Sequence, residues 1–290
     1  MTRPITAGVD GSEESLAALA WAGREAERRG LPLRVVGAWR FEPHEAFEAG
    51  DHDTQLARVR EAVDEAARTV TDHRPGLTVT TAVLQDGAVD ALVGAAAGAE
   101  MLVLGSRGHG AFVGFLVGSV GQRVIAAAER PVVLVRAGDA PSAEAAGREI
   151  VVGQHGEPED SAPALRFAFE TAAARGATVR VVRAWTLPPV FAYSPGSLQL
   201  LDEAGGLEPY EKKGLAAAVR PWRERFPDVP VVEYVEMGSA AQVLLSAAER
   251  AQLMVVGRRS HRTAMGAPIG SVAHAMLHHA ACPVAVVPHP

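Results

Sequence analysis

Residues 103–120 read VLGSRGHGAFVGFLVGSV, and residues 255–272 read VVGRRSHRTAMGAPIGSV. Gly105 in the first stretch matches Gly257 in the second, and the closing pair Gly118-Ser119 matches Gly270-Ser271. Pro131 and Pro283 repeat at the same separation, and further upstream VVGAW at residues 35–39 returns as VVRAW at residues 181–185. Self-similarity on this scale marks a duplicated structural unit and has to be recognised before any fold is assigned. The separation grows between the upstream and downstream matches, which places insertions mainly in the loop around residues 186–206. Between the copies, residues 137–148 read AGDAPSAEAAGR, small and polar without apolar periodicity, as linkers are. The boundary falls near residue 145, with domains predicted over residues 1–140 and 148–290. Each half has the common domain size.

Within the first copy, short apolar runs at residues 5–9, 33–39, 77–84, 101–104 and 132–135 read as strands, each bounded by Gly, Pro or charge. Between them, Leu56, Val59, Val63 and Val70 fall on one helical face, with Arg58, Arg60, Glu61 and Glu65 on the other. Ser12 opens a helix and Gly30 closes it. Strand alternating with helix predicts a mostly parallel sheet with helices on both faces. The fold class is α/β, two tandem doubly wound domains. The second copy follows the same order, from residues 150–152 to residues 284–287. Pro221 lies inside its helical stretch at residues 207–226 and predicts a kink or break at Arg220.

The chain has 290 residues, 48% hydrophobic, with a formal net charge of −6, so no broad basic surface exists to attract nucleic acid or anionic lipid. The one cysteine, Cys282, has no internal disulfide partner, and the first residues lack a basic segment with an apolar signal core. These features predict a cytoplasmic protein, and no apolar run approaches the roughly 20 residues of a membrane span.

Ligands of open α/β sheets bind at the carboxyl ends of strands where strand order reverses. Asp10, Gly11 and Ser12 follow the first predicted strand, and Gly105, Gly108, Gly110, Gly114 and Gly118 follow the fourth. Glycines let backbone amides approach an anion closely, and a helix beginning at Ser119 directs its free amides toward it. A triphosphate suits such a loop; a simple turn is the plainer alternative. A P-loop would need a Lys ahead of the hydroxyl, but GFLVG precedes Ser119. A dinucleotide fingerprint would need its glycines after the first strand, where VDGSEES stands instead.

The spacing G-x2-G-x9-G-[ST] of Gly105, Gly108, Gly118 and Ser119, with VDGS at residues 9–12, resembles the universal stress protein family. The resemblance covers both halves and is to the tandem, ATP-binding type, with strand order 3-2-1-4-5 in each domain. It implies ATP with Mg²⁺ as ligand, with Gly8 and Asp10 against the adenosine and backbone at Ala38 on the adenine edge. Gly105, Arg107, Gly108, His109, Gly110, Gly118, Ser119 and Val120 would cradle ribose and phosphates. In the second copy Gly153, Ala184, Gly257, Arg258, Arg262, Gly270 and Ser271 take the corresponding places. Two departures stand there: Ser260 replaces Gly108, and the VDG of the first copy appears as GQHG, which puts Gln154 and His155 where Asp10 stands.

The implied function is a stress-response or regulatory protein that responds to adenine nucleotide and has no catalytic residues; terminal strand edges pair between units in the family, which implies that the two halves pack within a chain and that two chains form a homodimer. An ATPase or nucleotidyl-transfer enzyme is the alternative, with Asp86 or His109 as the nearby candidates for a base. A ligand-free interaction scaffold is the other. His274 and His278, at i,i+4 on the last helix, read as a solvated face rather than a metal site, because no carboxylate shares their turn. Cys282 reads as a small buried residue, Trp39 and Trp185 as packing or nucleotide-bordering aromatics, and Ser12 as a helix cap.

Overall fold

The computed structural model describes residues 2–40, 52–106, 118–137, 148–187, 206–260 and 269–290. The chain divides into two compact units, Met1–Ala140 and Pro141–Pro290. The first runs β1 (Ile5–Gly8), α1 (Glu13–Arg29), β2 (Leu33–Ala38), α2 (His52–His73), β3 (Val79–Leu84), α3 (Ala88–Ala97), β4 (Met101–Ser106), α4 (Ser119–Ala127) and β5 (Val132–Arg136). Its strands order as β3-β2-β1-β4-β5, all pairs parallel. The chain moves outward from β1 through β2 to β3, then returns to the other side of β1 for β4. That reversal opens a crevice at the carboxyl ends of β1 and β4.

The second unit runs β6 (Glu149–Gly153), α5 (Pro158–Arg175), β7 (Val179–Trp185), α6 (Glu208–Arg225), β8 (Val231–Met237), α7 (Ala240–Ala248), β9 (Ala251–Arg259), α8 (Ser271–His279) and β10 (Val284–His289). Its order, β8-β7-β6-β9-β10, is that of the first unit.

Ser12 accepts the Ser15 N–H as N-cap of α1, and Gly30 ends that helix at φ 61°. Gly176 ends α5 in the same way at φ 60°. A left-handed residue there turns the chain back to the sheet while satisfying the last carbonyls of the helix. On α2, Leu56, Val63 and Val70 are buried and the charged residues at 58, 60, 61 and 65 are exposed, as the periodicity predicts.

The two units solve the same packing problem with different side chains. In the first, the backbone of Gly37 on β2 is so close to α2 that a Cβ would lie 2.6 Å from Val63 Cγ2. In the second, Arg183 holds that strand position, and the facing helix carries Gly214, where a Cβ would lie 3.8 Å from the guanidinium carbon. Likewise, Val70 approaches Gly23 on α1, whereas in the second unit Phe169 stacks on Trp222 and Phe226 at 6.1 and 5.9 Å.

Two expectations differ from the structure. Strand β3 begins at Val79 rather than at residue 77, because the Leu77 N–H bonds back to the Arg74 carbonyl in a turn. Pro221 does not break α6, which is assigned as one helix from Glu208 to Arg225. The missing N–H leaves the Ala217 carbonyl without its helical donor, and Ala217 is exposed, so solvent can reach that position. Replacing either helix-ending glycine forces a side chain into the left-handed region. Gly30→Ala and Gly176→Ala are each expected to lower unfolding free energy by about 1–2 kcal/mol in urea titrations.

Candidate functional site

The turn after β1 is held by its own side chains. The Ser12 hydroxyl donates to Asp10 Oδ1 at 2.5 Å, and the Ser12 N–H donates to the same oxygen at 3.1 Å. The Asp10 N–H in turn donates to Ser15 Oγ at 3.3 Å. One carboxylate oxygen of Asp10 is therefore tied down, which orients the other.

Beside this turn, β4 passes α1 at Gly105, where a Cβ would stand 2.5 Å from the Glu14 carbonyl carbon and 2.6 Å from the Ser15 nitrogen. Only a glycine fits between strand and helix there. On the opposite face of the sheet, a Cβ on Gly8 would meet Leu104 at 2.7 Å and Leu92 at 2.9 Å.

Between these contacts lies a cavity of about 270 Å³ at the carboxyl ends of β1, β2 and β4. Gly8, Asp10, Ala38, Gly105, Gly118, Ser119 and Val120 all line it. Its apolar walls include Val36, Leu92 and Leu104. Sequence reading omitted these three. Val36 was within reach, since it precedes Ala38 by two positions and shares its strand face; Leu92 depends on the packing of α3. Arg107, Gly108, His109 and Gly110 lie outside the described residues, as does Arg262.

Gly118 caps α4 with φ −56° and ψ 150°, angles open to any residue, and makes no side-chain cap hydrogen bond. Nothing lies within 4 Å of where its Cβ would be. A Ser or Asp there would cap the helix and stabilise it by about 1 kcal/mol. The glycine instead leaves the first amides of α4, at Ser119, Val120 and Gly121, beside the cavity with no intrahelical acceptor.

The second unit keeps the frame and changes the contents. The His155 N–H donates to Ser161 Oγ at 3.1 Å, matching the Asp10–Ser15 contact, and Gly153 faces Leu244 at 3.1 Å. Gly270 caps α8 at φ −61° and ψ 156°, with Ser271 first in the helix, and Ala184 lies on β7 as Ala38 lies on β2. Gly257, however, faces an imidazole: His289 Cδ2 would be 3.1 Å from its Cβ. The His289 ring is 4% exposed and meets His155 edge-on at 5.8 Å. Arg258 is buried as well, and its guanidinium donates to the Arg259 carbonyl. Arg183 donates to Gln154 Oε1 at 2.6 Å and pairs with Glu211 at 2.5 Å, fixing the residue that replaces Val9.

The other candidates are placed away from the cavity. Trp39 packs edge-on against His52 at the start of α2, with ring centres 4.9 Å apart. His274 and His278 lie 4.3 Å apart on α8, the first exposed and the second buried. Among the described residues no group of three or more His, Cys, Asp or Glu is placed to hold a metal ion. Cys282 is buried, and no helix among the described residues is long and apolar enough to cross a membrane.

Two outcomes are expected. Gly105→Ala forces strand from helix and costs about 1–3 kcal/mol in urea unfolding, whereas Gly118→Ala stays within about 0.5 kcal/mol of the parent. Burial, then His155 and Arg259, hold the His289 imidazole below the usual histidine range, outweighing the Pro290 carbonyl and Asp160. The unfolded chain takes up that proton near about pH 6.5 and the folded one resists it, so stability falls as pH drops below that value. His274 is held down in the same sense by burial and by its neighbours His278 and His279. His289→Gln is therefore expected to remove part, not all, of the fall in melting temperature between about pH 7.5 and 5.5.

Comparison with known proteins agrees with this architecture. The sequence profile of the universal stress protein family matches residues 1–136 and again residues 147–288. A universal stress protein of Mycolicibacterium smegmatis is 33% identical over 297 residues, covering 98% of this chain and 96% of that protein. A universal stress protein of Mycobacterium tuberculosis is 33% identical over 290 residues, with 97% and 96% covered. Among solved structures, a universal stress protein from Archaeoglobus fulgidus shares the fold with a TM-score of 0.71 at 17% identity, over 99% of this chain and 98% of its own. This chain belongs to the universal stress protein family and carries the family's domain twice.

Proposed function

We propose that the first unit binds an adenine nucleotide, ATP with its Mg²⁺, and that the protein acts as a nucleotide-responsive stress protein rather than as an efficient catalyst. The observation that carries this reading is the single cavity lined by Gly8, Asp10, Ala38, Gly105, Gly118, Ser119 and Val120. Its parts divide as a nucleotide does. Val36, Leu92 and Leu104 offer apolar surface to a flat base, and the Asp10 carboxylate, held by Ser12 at the edge of the cavity, faces a ribose hydroxyl. The amides at the start of α4 and the Ser119 hydroxyl face an anion. The choice of adenine over other bases rests on the family resemblance, as does the pairing of two chains into a homodimer.

The non-catalytic reading is supported by the side chains at hand. Hydrolysis needs a group that positions water beside the terminal phosphate. Asp86 accepts the Gly87 N–H at 2.7 Å and does not line the cavity, and Asp10 is bound to Ser12 at the adenosine end. Cytoplasmic placement belongs to the same proposal.

Isothermal titration of nucleotide-free protein with Mg-ATP tests it, run beside Gly118→Val and a phosphate-release assay. The variant keeps its helix, because the backbone angles suit any residue, and is expected to bind at least tenfold more weakly, a loss of about 1.4 kcal/mol. Absence of binding by the parent protein overturns the reading. Sustained phosphate release over many turnovers moves the protein into the enzyme class.

A further inference from the structure

The second unit contains a cleft lined by polar residues that the first unit lacks at the matching positions. It has a volume of about 370 Å³ and lies between β6, β7, β8 and α7, lined by Glu149, Arg180, Tyr234, Glu236, Ser246 and Arg250 over a floor of Val243 and Ala247. Strand register identifies the matching positions of the first unit. Tyr234 pairs with Val182 as Ala82 pairs with Val36, and Glu236 pairs with Ala184 as Leu84 pairs with Ala38. The repeat likewise matches Glu149 with Pro4, Ser246 with Gly94 and Arg250 with Gly98. Five positions that are apolar or glycine in one copy are thus polar or charged in the other, and all five line one cleft.

The polar groups fall into two sets. Arg180 and Glu149 satisfy each other through two hydrogen bonds of 2.5 and 3.0 Å, and the Arg180 guanidinium lies 5.9 Å over the Tyr234 ring. This set is an internal brace that positions the ring. The second set is open. Glu236 accepts only the Tyr234 hydroxyl, at 2.6 Å, and Arg250 has no ion pair among the described residues. Ser246 lies on α7 and Arg250 in the turn that follows it, and both line the cleft. Tyr234 and Glu236 share one face of β8. An uncompensated guanidinium with a hydroxyl beside it therefore stands on one wall, and a carboxylate with spare acceptor capacity on the other.

We propose that this cleft binds a small zwitterion of the α-amino acid class, its carboxylate on Arg250 and Ser246 and its ammonium on Glu236. The side chain of the ligand lies along the Tyr234 ring and the Val243–Ala247 floor, which favours aliphatic or aromatic members. Guanidinium binds carboxylate through paired N–H donors, and an ammonium donates to a carboxylate, so both ends are charge-assisted.

The test uses the full chain. Standard L-amino acids are screened at millimolar concentration by saturation-transfer NMR, and those that bind are titrated calorimetrically beside their N-acetyl and C-terminal amide forms. At least one free amino acid is expected to bind, with both blocked forms at least tenfold weaker. Arg250→Gln and Glu236→Gln are each expected to lose binding by at least tenfold while melting as the parent does, since both residues are exposed. Binding by no amino acid overturns the proposal, as does binding that survives both substitutions. An amide or N-acetyl form that binds as well as the free acid also overturns it, showing a site for a single charge. A Mg-ATP titration of the same variants reports on the first unit and is independent of these outcomes.

Discussion

The close approach of Gly105 to the first turn of α1 is the contact on which the rest of the first unit depends. With no Cβ available, β4 presses against the Glu14 and Ser15 backbone, and this sets the first turn of α1 directly over the end of the sheet. The hydrogen bonds among Asp10, Ser12 and Ser15 then have a fixed base, so the carboxylate of Asp10 is aimed by packing rather than by chance. On the other face, Gly8 admits Leu92 and Leu104, which become cavity wall. Two strands pared to glycine on opposite faces draw the helices in and leave the opening between them.

Duplication exposes how much chemistry one backbone tolerates. Strand order and the glycine ends of α1 and α5 are the same in both units, because they follow from parallel pairing and from the left-handed turn that ends a helix. The contents of the carboxyl end differ. Gly257 faces the ring of His289 where Gly105 faces a helix backbone, His155 stands for Asp10, and Arg183 with Gln154 and Glu211 replaces an apolar contact. The neighbouring face of the second unit has in turn gained a cleft with charge on both walls. One copy carries the glycine-lined cavity while the other is polar at different places.

Some of this was legible beforehand for definite reasons. The helical face of Leu56, Val63 and Val70 repeats at helical spacing, and Gly30 stands where such a helix must stop. The places where the reading failed are those where a local rule met a tertiary circumstance. Pro221 does not break its helix, because the carbonyl it leaves without a donor belongs to Ala217, which is exposed. Of the two roles open to Trp39, packing is the one seen: just past β2 it meets His52, while Ala38 lines the cavity.

The sequence by itself determined the duplication, the α/β class and the positions of the glycine turns. Each of these follows from periodicity, from spacing, or from the conformations that glycine alone tolerates, all of which are local properties. Only the tertiary structure decided that Leu92 from α3 meets Gly8 from β1, that His289 covers Gly257, and that Arg250, in the turn after α7, and Glu236, on β8, line one cleft. Those pairings join residues far apart in the chain, and their geometry depends on how closely the layers pack. That closeness is set by side-chain volumes summed across several elements, and no single stretch of sequence contains it.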